Sequence, residues 1–327
     1  MAELLKTGGK AIGFGTWAWG NQLLWGYRPD CHDEILEATF KEAIRGGLRL
    51  IDTADSYGTG QMNGRSELLL GRFVEGLSVK QRQGLTIATK LAPYPWRIGR
   101  KGFSKAFEAS RLRLKGYLHR VQLHWSTARY FPWQEGPLLD GLADLLMQGK
   151  VHELGVSNVG PERLRWMHTR LAERGLKLTS LQVQLSLLST QPLEENKVAS
   201  ACRDLGIDLL AYSPLALGVL AIPPGELAPS ATPLRRGIFQ RLLPASNGLR
   251  QGLSELAANR GVTQAQVALN WCRAHGALPI PGLRNPGQAL DASRALLWDM
   301  EAEEKQRLDH LAQECRAKMP VNPFQSS

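Results

Sequence analysis

Residue types suited to proton transfer stand where short apolar runs end. Asp52 follows Leu50-Ile51, Lys90 follows Ile87-Ala88-Thr89, and His124 follows Val121-Gln122-Leu123, with Tyr57 five residues beyond Asp52. Each alone has an ordinary explanation: strands end in polar residues, isolated histidines are mostly structural, and loop tyrosines pack. As a set they describe one chemistry, donation of a proton to a carbonyl oxygen. A phenol with a pKa of about 10 is a reluctant acid near neutrality, and a neighbouring cation lowers that value. Lys90 is expected to be the cation, Asp52 to hold it by an ion pair, and His124 to orient the carbonyl as a hydrogen-bond donor. No metal is expected, because His119, His124 and Cys31 show no ligand spacing.

Positioning these groups requires an alternation of strands and helices. Apolar runs fit strands at 11–15, 48–51, 85–88, 121–123, 153–156, 181–183, 207–211 and 277–280. Helical periodicity fills 35–45, 104–114, 136–148, 161–174, 198–205 and 253–260, with Gly46-Gly47 as a stop and Pro161 suited to a first turn. Strand ends near 52, 90, 124, 157, 182 and 212 recur at intervals of 38, 34, 33, 25 and 30 residues. That rhythm fits a (β/α)8 TIM barrel, whose active sites sit at the C-terminal ends of the strands. An open dinucleotide-binding sheet is disfavoured: Gly13-Phe14-Gly15 is followed by Thr16-Trp17 without a third glycine. Residues 217–252 break the rhythm. They are rich in proline and glycine, carry Arg235, Arg236, Arg241 and Arg250, and are expected to form a long loop on the C-terminal face. Those arginines are either solvated or clamp an anion.

Composition narrows the class. The chain has 327 residues, 43% of them hydrophobic, which excludes disorder, collagen-like repeats and disulfide scaffolds. No apolar run approaches the roughly 18 residues of a membrane span. The opening residues carry Glu3, Lys6 and Lys10 and leave no room for a signal peptide. Four scattered cysteines form no CxxC pair and suit a reducing cytoplasm. A net charge of +10 comes from 40 basic and 30 acidic residues without long like-charge runs. No nucleic-acid motif accompanies it, so a phosphate-bearing cofactor is the expected use of a few arginines, with neither nucleic acid nor membrane as partner.

The run from Gly47 to Gly58, containing Asp52-Thr53-Ala54-Asp55-Ser56-Tyr57, resembles the first signature of the aldo-keto reductases. Gly64-Arg65-Ser66-Glu67, Ala88-Thr89-Lys90, Leu123-His124-Trp125, Gly155-Val156-Ser157-Asn158, Ala211-Tyr212-Ser213-Pro214-Leu215 and Pro279-Ile280-Pro281-Gly282 match in order, from Gly13 to Asp291. The resemblance implies one reductase-like (β/α)8 domain over 1–327. It implies NADPH-dependent reduction of aldehydes or ketones to alcohols, with Tyr57 as general acid and Asp52, Lys90 and His124 completing a tetrad. It further implies that Ser157, Asn158 and Gln182 hold a nicotinamide carboxamide and that Tyr212 stacks beneath the ring. Ser213 through Leu215 to Leu217 would border the pyrophosphate, and Thr16 would touch the cofactor.

The adenosine end departs from many relatives, with Gly282-Leu283-Arg284-Asn285 after Ile280-Pro281 and Gln288 where an arginine is common. Another subgroup shares this arrangement. Arg284 is therefore expected to contact the 2′-phosphate of NADP, the alternative being a surface arginine and equal use of NADH. Gln288 and Asp291 would contact adenine and ribose. Trp17, Trp19, Trp96 and Trp125 are expected to line the substrate pocket, with Tyr94, Tyr130 and Trp133 around its mouth, favouring flat aldehydes. Trp166, Trp271 and Trp298 are expected in the core. The chain looks like the branch shared by cyanobacteria and plant plastids, where pyridoxal is one substrate. The competing reading is a non-catalytic NADP(H)-binding regulatory subunit, resembling potassium-channel β-subunits. A monomer is expected.

Overall fold

The computed structural model describes residues 11–226, 232–320, 322–323 and 325–326; the charged opening residues lie outside it. Eight strands form: β1 (Phe14–Gly15), β2 (Leu50–Asp52), β3 (Thr86–Leu91), β4 (Arg120–Leu123), β5 (Glu153–Ser157), β6 (Ser180–Gln184), β7 (Asp208–Tyr212) and β8 (Leu278–Ile280). All are parallel and follow one another in chain order. The Gly13 and Gly15 amides donate to the Pro279 and Pro281 carbonyls at 3.0 and 2.9 Å, which brings β8 back beside β1. Helices Pro29–Arg45, Arg65–Glu75, Ser104–Arg113, Pro132–Met147, Pro161–Ala172, Val198–Leu205, Gln264–Ala274 and Pro286–Arg294 surround the sheet. The architecture is the expected (β/α)8 barrel.

Side chains alternate across the strands. Ile51, Val121 and Leu123 face the helices and join the main core with Phe14, Phe40, Phe73 and Trp271. Leu50, Ala88, Leu210, Leu278 and Ile280 make a smaller cluster inside the barrel. Burying each such large apolar side chain contributes roughly 1.5–3 kcal/mol. The lumen is tight: a Cβ on Gly155 would come 2.4 Å from Ser180 Oγ and 3.0 Å from Gln122 Cγ. The inward series also carries Asp52, Lys90, Gln122 and Gln182 to the C-terminal rim. Parallel pairing sets Gly15 opposite Asp52, Lys90 opposite Gln122, and Ser157 opposite Gln182.

The segment after β7 differs from expectation. Instead of a loop, its described part holds a 3-10 stretch (Ala216–Ala221), the helix Pro233–Ala245 and the start of the helix Asn247–Arg260. Proline and glycine there start and fit helices. Pro233 occupies a first turn capped by Thr232, and a Cβ on Gly252 would meet Leu311 Cδ1 at 2.3 Å. Trp271 is fully buried, and Trp166 and Trp298 pack against the core, as expected.

Candidate active site

Lys90 is the centre of the site. It sits at the rim of β3, 1% exposed, and its ammonium donates to the Asp52 carboxylate and, at 2.9 Å, to the Thr53 carbonyl. Asp52 Oδ1 accepts two further bonds, from Gln122 Nε2 at 3.0 Å and Gln182 Nε2 at 2.9 Å. Three donors on one buried carboxylate fix its direction and offset the loss of water around it. Burial works against the Lys90 charge, yet Asp52 and then Tyr57 hold its pKa above the ordinary lysine value.

Tyr57 is delivered by the loop after β2. Its ring centre lies 4.9 Å from Lys90 Nζ and 5.9 Å from the His124 ring, edge to face. The next residue must be glycine: Gly58 has φ +118°, and a Cβ there would meet Met62 O at 1.9 Å. Burial pushes the Tyr57 phenol above its ordinary pKa, with Lys90 pulling against it and Asp52 adding to it. The expectation that Lys90 lowers this pKa holds for its own contribution; the net shift is upward because burial is larger. His124, tied by its amide to Leu91 O at 3.1 Å, is held well below the ordinary histidine pKa by burial, then by Lys90 and Arg97. Its imidazole is therefore neutral, with Ser56 Oγ 3.3 Å from Nδ1.

These four groups line one cavity of about 760 Å³ that runs across the barrel mouth. Ser157, Asn158, Gln182 and Tyr212 border it beside the tetrad. Asn158 has φ +57°, and its Nδ2 donates to His124 O at 3.1 Å and Ser157 Oγ at 3.0 Å, while Tyr212 OH donates to its Oδ1 at 3.0 Å. Farther along lie Ser213, Leu215 and Leu217, then Arg284, Gln288 and Asp291. Ser213, Ala216 and Leu217 have φ of +51°, +47° and +59°, a run of left-handed non-glycine residues of the kind that gathers at ligand sites. Gln288 Oε1 accepts the Arg284 amide at 2.8 Å, and Asp291 accepts from Thr263 and Gln266 at 2.9 and 2.7 Å.

Three expected site residues do not line the cavity. Thr16 alternates outward between Gly15 and Trp17, and its hydroxyl meets Ser66 Oγ at 2.6 Å in the seam with the helix Arg65–Glu75. Trp19 is a core residue: its indole donates to Leu283 O at 2.8 Å and packs on Phe14 and Phe73. Trp96 is 72% exposed and stacks on Tyr94 at 4.7 Å on the outer rim. Trp17 and Trp125 do line the cavity, and Tyr130 OH receives the Trp125 indole N–H at 2.7 Å.

Two further residues line the cavity: Trp25, which the sequence reading did not name, and Arg235, named only among four arginines that are either solvated or clamp an anion. Trp25 carries a guanidinium on its ring from two sides of the chain, Arg235 at 4.4 Å and Arg284 at 4.8 Å. Burial, then Arg284, lowers the Arg235 pKa to about 10; Arg235 is 4% exposed and its Nε makes no hydrogen bond among the described residues. Neither arginine pairs with a carboxylate among the described residues. Arg250 instead donates to the carbonyls of Ile222, Pro223 and Leu243, a structural role, and Arg236 and Arg241 are exposed. The only signal for Arg235 was the count of basic residues in 217–252. No metal-binding cluster occurs among the described residues.

Residues 11–313 match the sequence model of the Aldo/keto reductase family. Over 321 residues the chain is 46% identical to the chloroplastic pyridoxal reductase of Arabidopsis thaliana, covering 96% of this chain and 86% of that protein. Among solved structures, an aldo-keto reductase from Klebsiella pneumoniae in complex with NADPH superposes with TM-score 0.69 at 25% identity, over 97% of this chain and 93% of that one. Glycerol dehydrogenase from Gluconobacter oxydans shares the fold at TM-score 0.76 and 24% identity, over 97% and 95%.

Proposed function

We propose, because the chain belongs to the aldo/keto reductase family, that it is an NADP-dependent oxidoreductase that reduces the carbonyl of an aldehyde or ketone to an alcohol. The cavity fits such a cofactor. Arg235, buried, and Arg284, half-buried, have no acidic partner among the described residues and suit a phosphate at one end. At the other end Ser157, Asn158 and Gln182 present amide and hydroxyl groups suited to a carboxamide, over the Tyr212 ring. When bound, NADPH supplies the hydride that the carbonyl carbon receives.

The chain's own residues handle the proton. Tyr57, neutral at physiological pH because burial raises its pKa, gives its hydroxyl proton to the carbonyl oxygen as charge develops there. The phenolate left behind is stabilised by the Lys90 ammonium, which Asp52 keeps charged and aimed. With the Ser56 hydroxyl assigned as donor to His124 Nδ1, the ring proton lies on Nε2, free to donate to the same carbonyl oxygen. The observation that carries this reading is the buried Lys90–Asp52 pair lying against Tyr57. A purely regulatory subunit gains no support, since cofactor binding alone gives that buried pair no purpose.

Trp17 and Trp125 give the carbonyl-proximal end flat apolar walls, which suit an aromatic aldehyde. The identity to a plant pyridoxal reductase makes pyridoxal the first substrate to try. The described residues are read as one domain, and the reaction as proposed needs no second subunit. No helix among the described residues is long and apolar enough to cross a membrane, and a reducing compartment such as the cytoplasm suits four cysteines without a disulfide. The test is NADPH oxidation with an aromatic aldehyde, pyridoxal and methylglyoxal. Turnover lost in Tyr57→Phe, with NADPH binding retained, supports the reading; equal turnover in that variant removes Tyr57 from the donor role.

A further inference from the structure

Beyond the last helix, Ala302–Glu314, the chain returns across the barrel mouth and touches the residues that border the nicotinamide end. The Met319 amide donates to Leu188 O at 2.8 Å, and Met319, Pro320, Asn322 and Pro323 line the cavity. Asn322 Nδ2 donates to Tyr212 OH at 2.8 Å and to Asn158 Oδ1 at 3.0 Å. With the bond from Tyr212 OH to Asn158 Oδ1, the three side chains close a ring of hydrogen bonds. Four residues on, the Ser326 amide donates to Asn158 O at 3.2 Å, and Ser326 Oγ accepts the Gly160 amide at 3.1 Å. The tail thus grips the 158–160 turn at three points and Tyr212 at a fourth.

We infer that Asn322 is a positioning residue for the cofactor: through Asn158 and Tyr212 it fixes the nicotinamide end of the site. The inference rests on the reading that NADPH occupies this cavity. Asn158 is held at φ +57°, a conformation costing a non-glycine residue about 1 kcal/mol or more, which persists only where neighbours over-determine it. Its backbone carbonyl and its side-chain oxygen are both capped by the tail. Tyr212 OH also depends on the tail: it accepts from Asn322 and gives its own proton to Asn158, so ring and amide are locked together. A neutral phenol is required for that donation, and burial raises the Tyr212 pKa to about 12. Without Asn322, Asn158 Oδ1 keeps one partner of two and Tyr212 loses its donor, so both rotate more freely and ordering them is charged against cofactor affinity.

The effect is local, which gives it a signature that general damage lacks. NADPH spans both ends of the cavity, whereas 2′,5′-ADP reaches only the Arg235–Arg284 end. In Asn322→Ala and Asn322→Asp, the Kd for NADPH is expected to rise about five-fold or more. The Kd for 2′,5′-ADP is expected to stay at its wild-type value, and the melting temperature to fall by no more than about 1–3 °C. Asn322→Asp is the harsher variant, because its carboxylate oxygens face Asn158 Oδ1 with no proton to give. Unchanged or tighter NADPH binding in both variants overturns the inference, as does an equal loss for the two ligands. Wild-type protein that binds neither ligand would instead overturn the cofactor reading beneath it.

Discussion

The Lys90 ammonium lies 4.9 Å from the centre of the Tyr57 ring while bonded to Asp52 and, at 2.9 Å, to the Thr53 carbonyl. That separation is within cation–π range, and in a buried site the charge acts with little screening. Lys90 therefore stabilises the phenolate more than the phenol, a preference that appears only as the proton leaves. Lys90→Met is expected to lower kcat by ~10²–10⁴-fold with NADPH affinity nearly kept. It also strands the Asp52 charge, so the melting temperature falls. Asp52→Asn combined with Lys90→Met is expected to recover the melting temperature but not the turnover. A double variant that regained turnover would sink the assignment of Lys90.

The pH dependence follows from two buried groups displaced in opposite directions. Tyr57 is the proposed acid for reduction and its pKa is above the ordinary value, so kcat is expected to hold through neutrality and fall only on the alkaline side. His124 is pushed well below 6.5, so it stays neutral and adds no inflection near that pH. Its folded pKa is the lower one, so the unfolded chain binds the extra proton first. Stability from this group is intact above about pH 6.5 and is lost as pH falls below it. A kcat profile from pH 5.5 to 9.5 checks this; a step near 6.5 that vanished in His124→Gln would show the imidazole titrating and contradict it.

The strands, their parallel order and the gathering of Asp52, Tyr57, Lys90 and His124 at one cavity were legible because polar residues closing short apolar runs reach the rim of a barrel by strand geometry alone. Thr16 and Trp19 were misplaced for a related reason. A two-residue strand, β1, carries too little alternation to tell which side chain faces inward, and the turn after it is not periodic. Residues 217–252 read as loop because proline and glycine are common there, yet Pro233 starts a helix and Gly252 gives Leu311 room against one. Such helices are decided by packing partners far along the chain. The upward pKa of Tyr57 needed burial, which no local pattern reveals, and Arg235 needed Trp25, more than two hundred residues away.

Arg235 and Arg284 share the Trp25 ring, and burial, with a smaller push from the Arg284 charge, lowers the Arg235 pKa to about 10. A dianionic phosphate placed between them relieves that repulsion, and a hydroxyl in the same place does not. Arg284→Ala and Arg235→Ala are each expected to weaken NADPH by about ten-fold or more, and NADH much less, since a hydrogen bond to a charged group is worth roughly 1.5–3 kcal/mol. Kd values for both cofactors against both variants decide it. Equal losses for NADPH and NADH would mean that the 2′-phosphate is read elsewhere.

Asp208 offers a stability test at the far end of the barrel, where β7 begins. Burial raises its pKa to about 6, Arg120 pulls it down and Glu153 pushes it up. The folded value lies above the ordinary 3.8, so folding favours the protonated acid, and stability falls as pH rises from about 4 through 6. Two pKa units correspond to roughly 3 kcal/mol, and partial exposure of Asp208 discounts this to about 1 kcal/mol. Asp208→Asn removes the cost, so its melting temperature at pH 7.5 is expected to exceed wild type by about 1–3 °C, with a clearly smaller gain at pH 4.5. Turnover should not change, because the tetrad lies at the opposite strand ends. A lower melting temperature at pH 7.5 would show instead that Arg120, fully buried and bonded to Glu153, needs the second carboxylate.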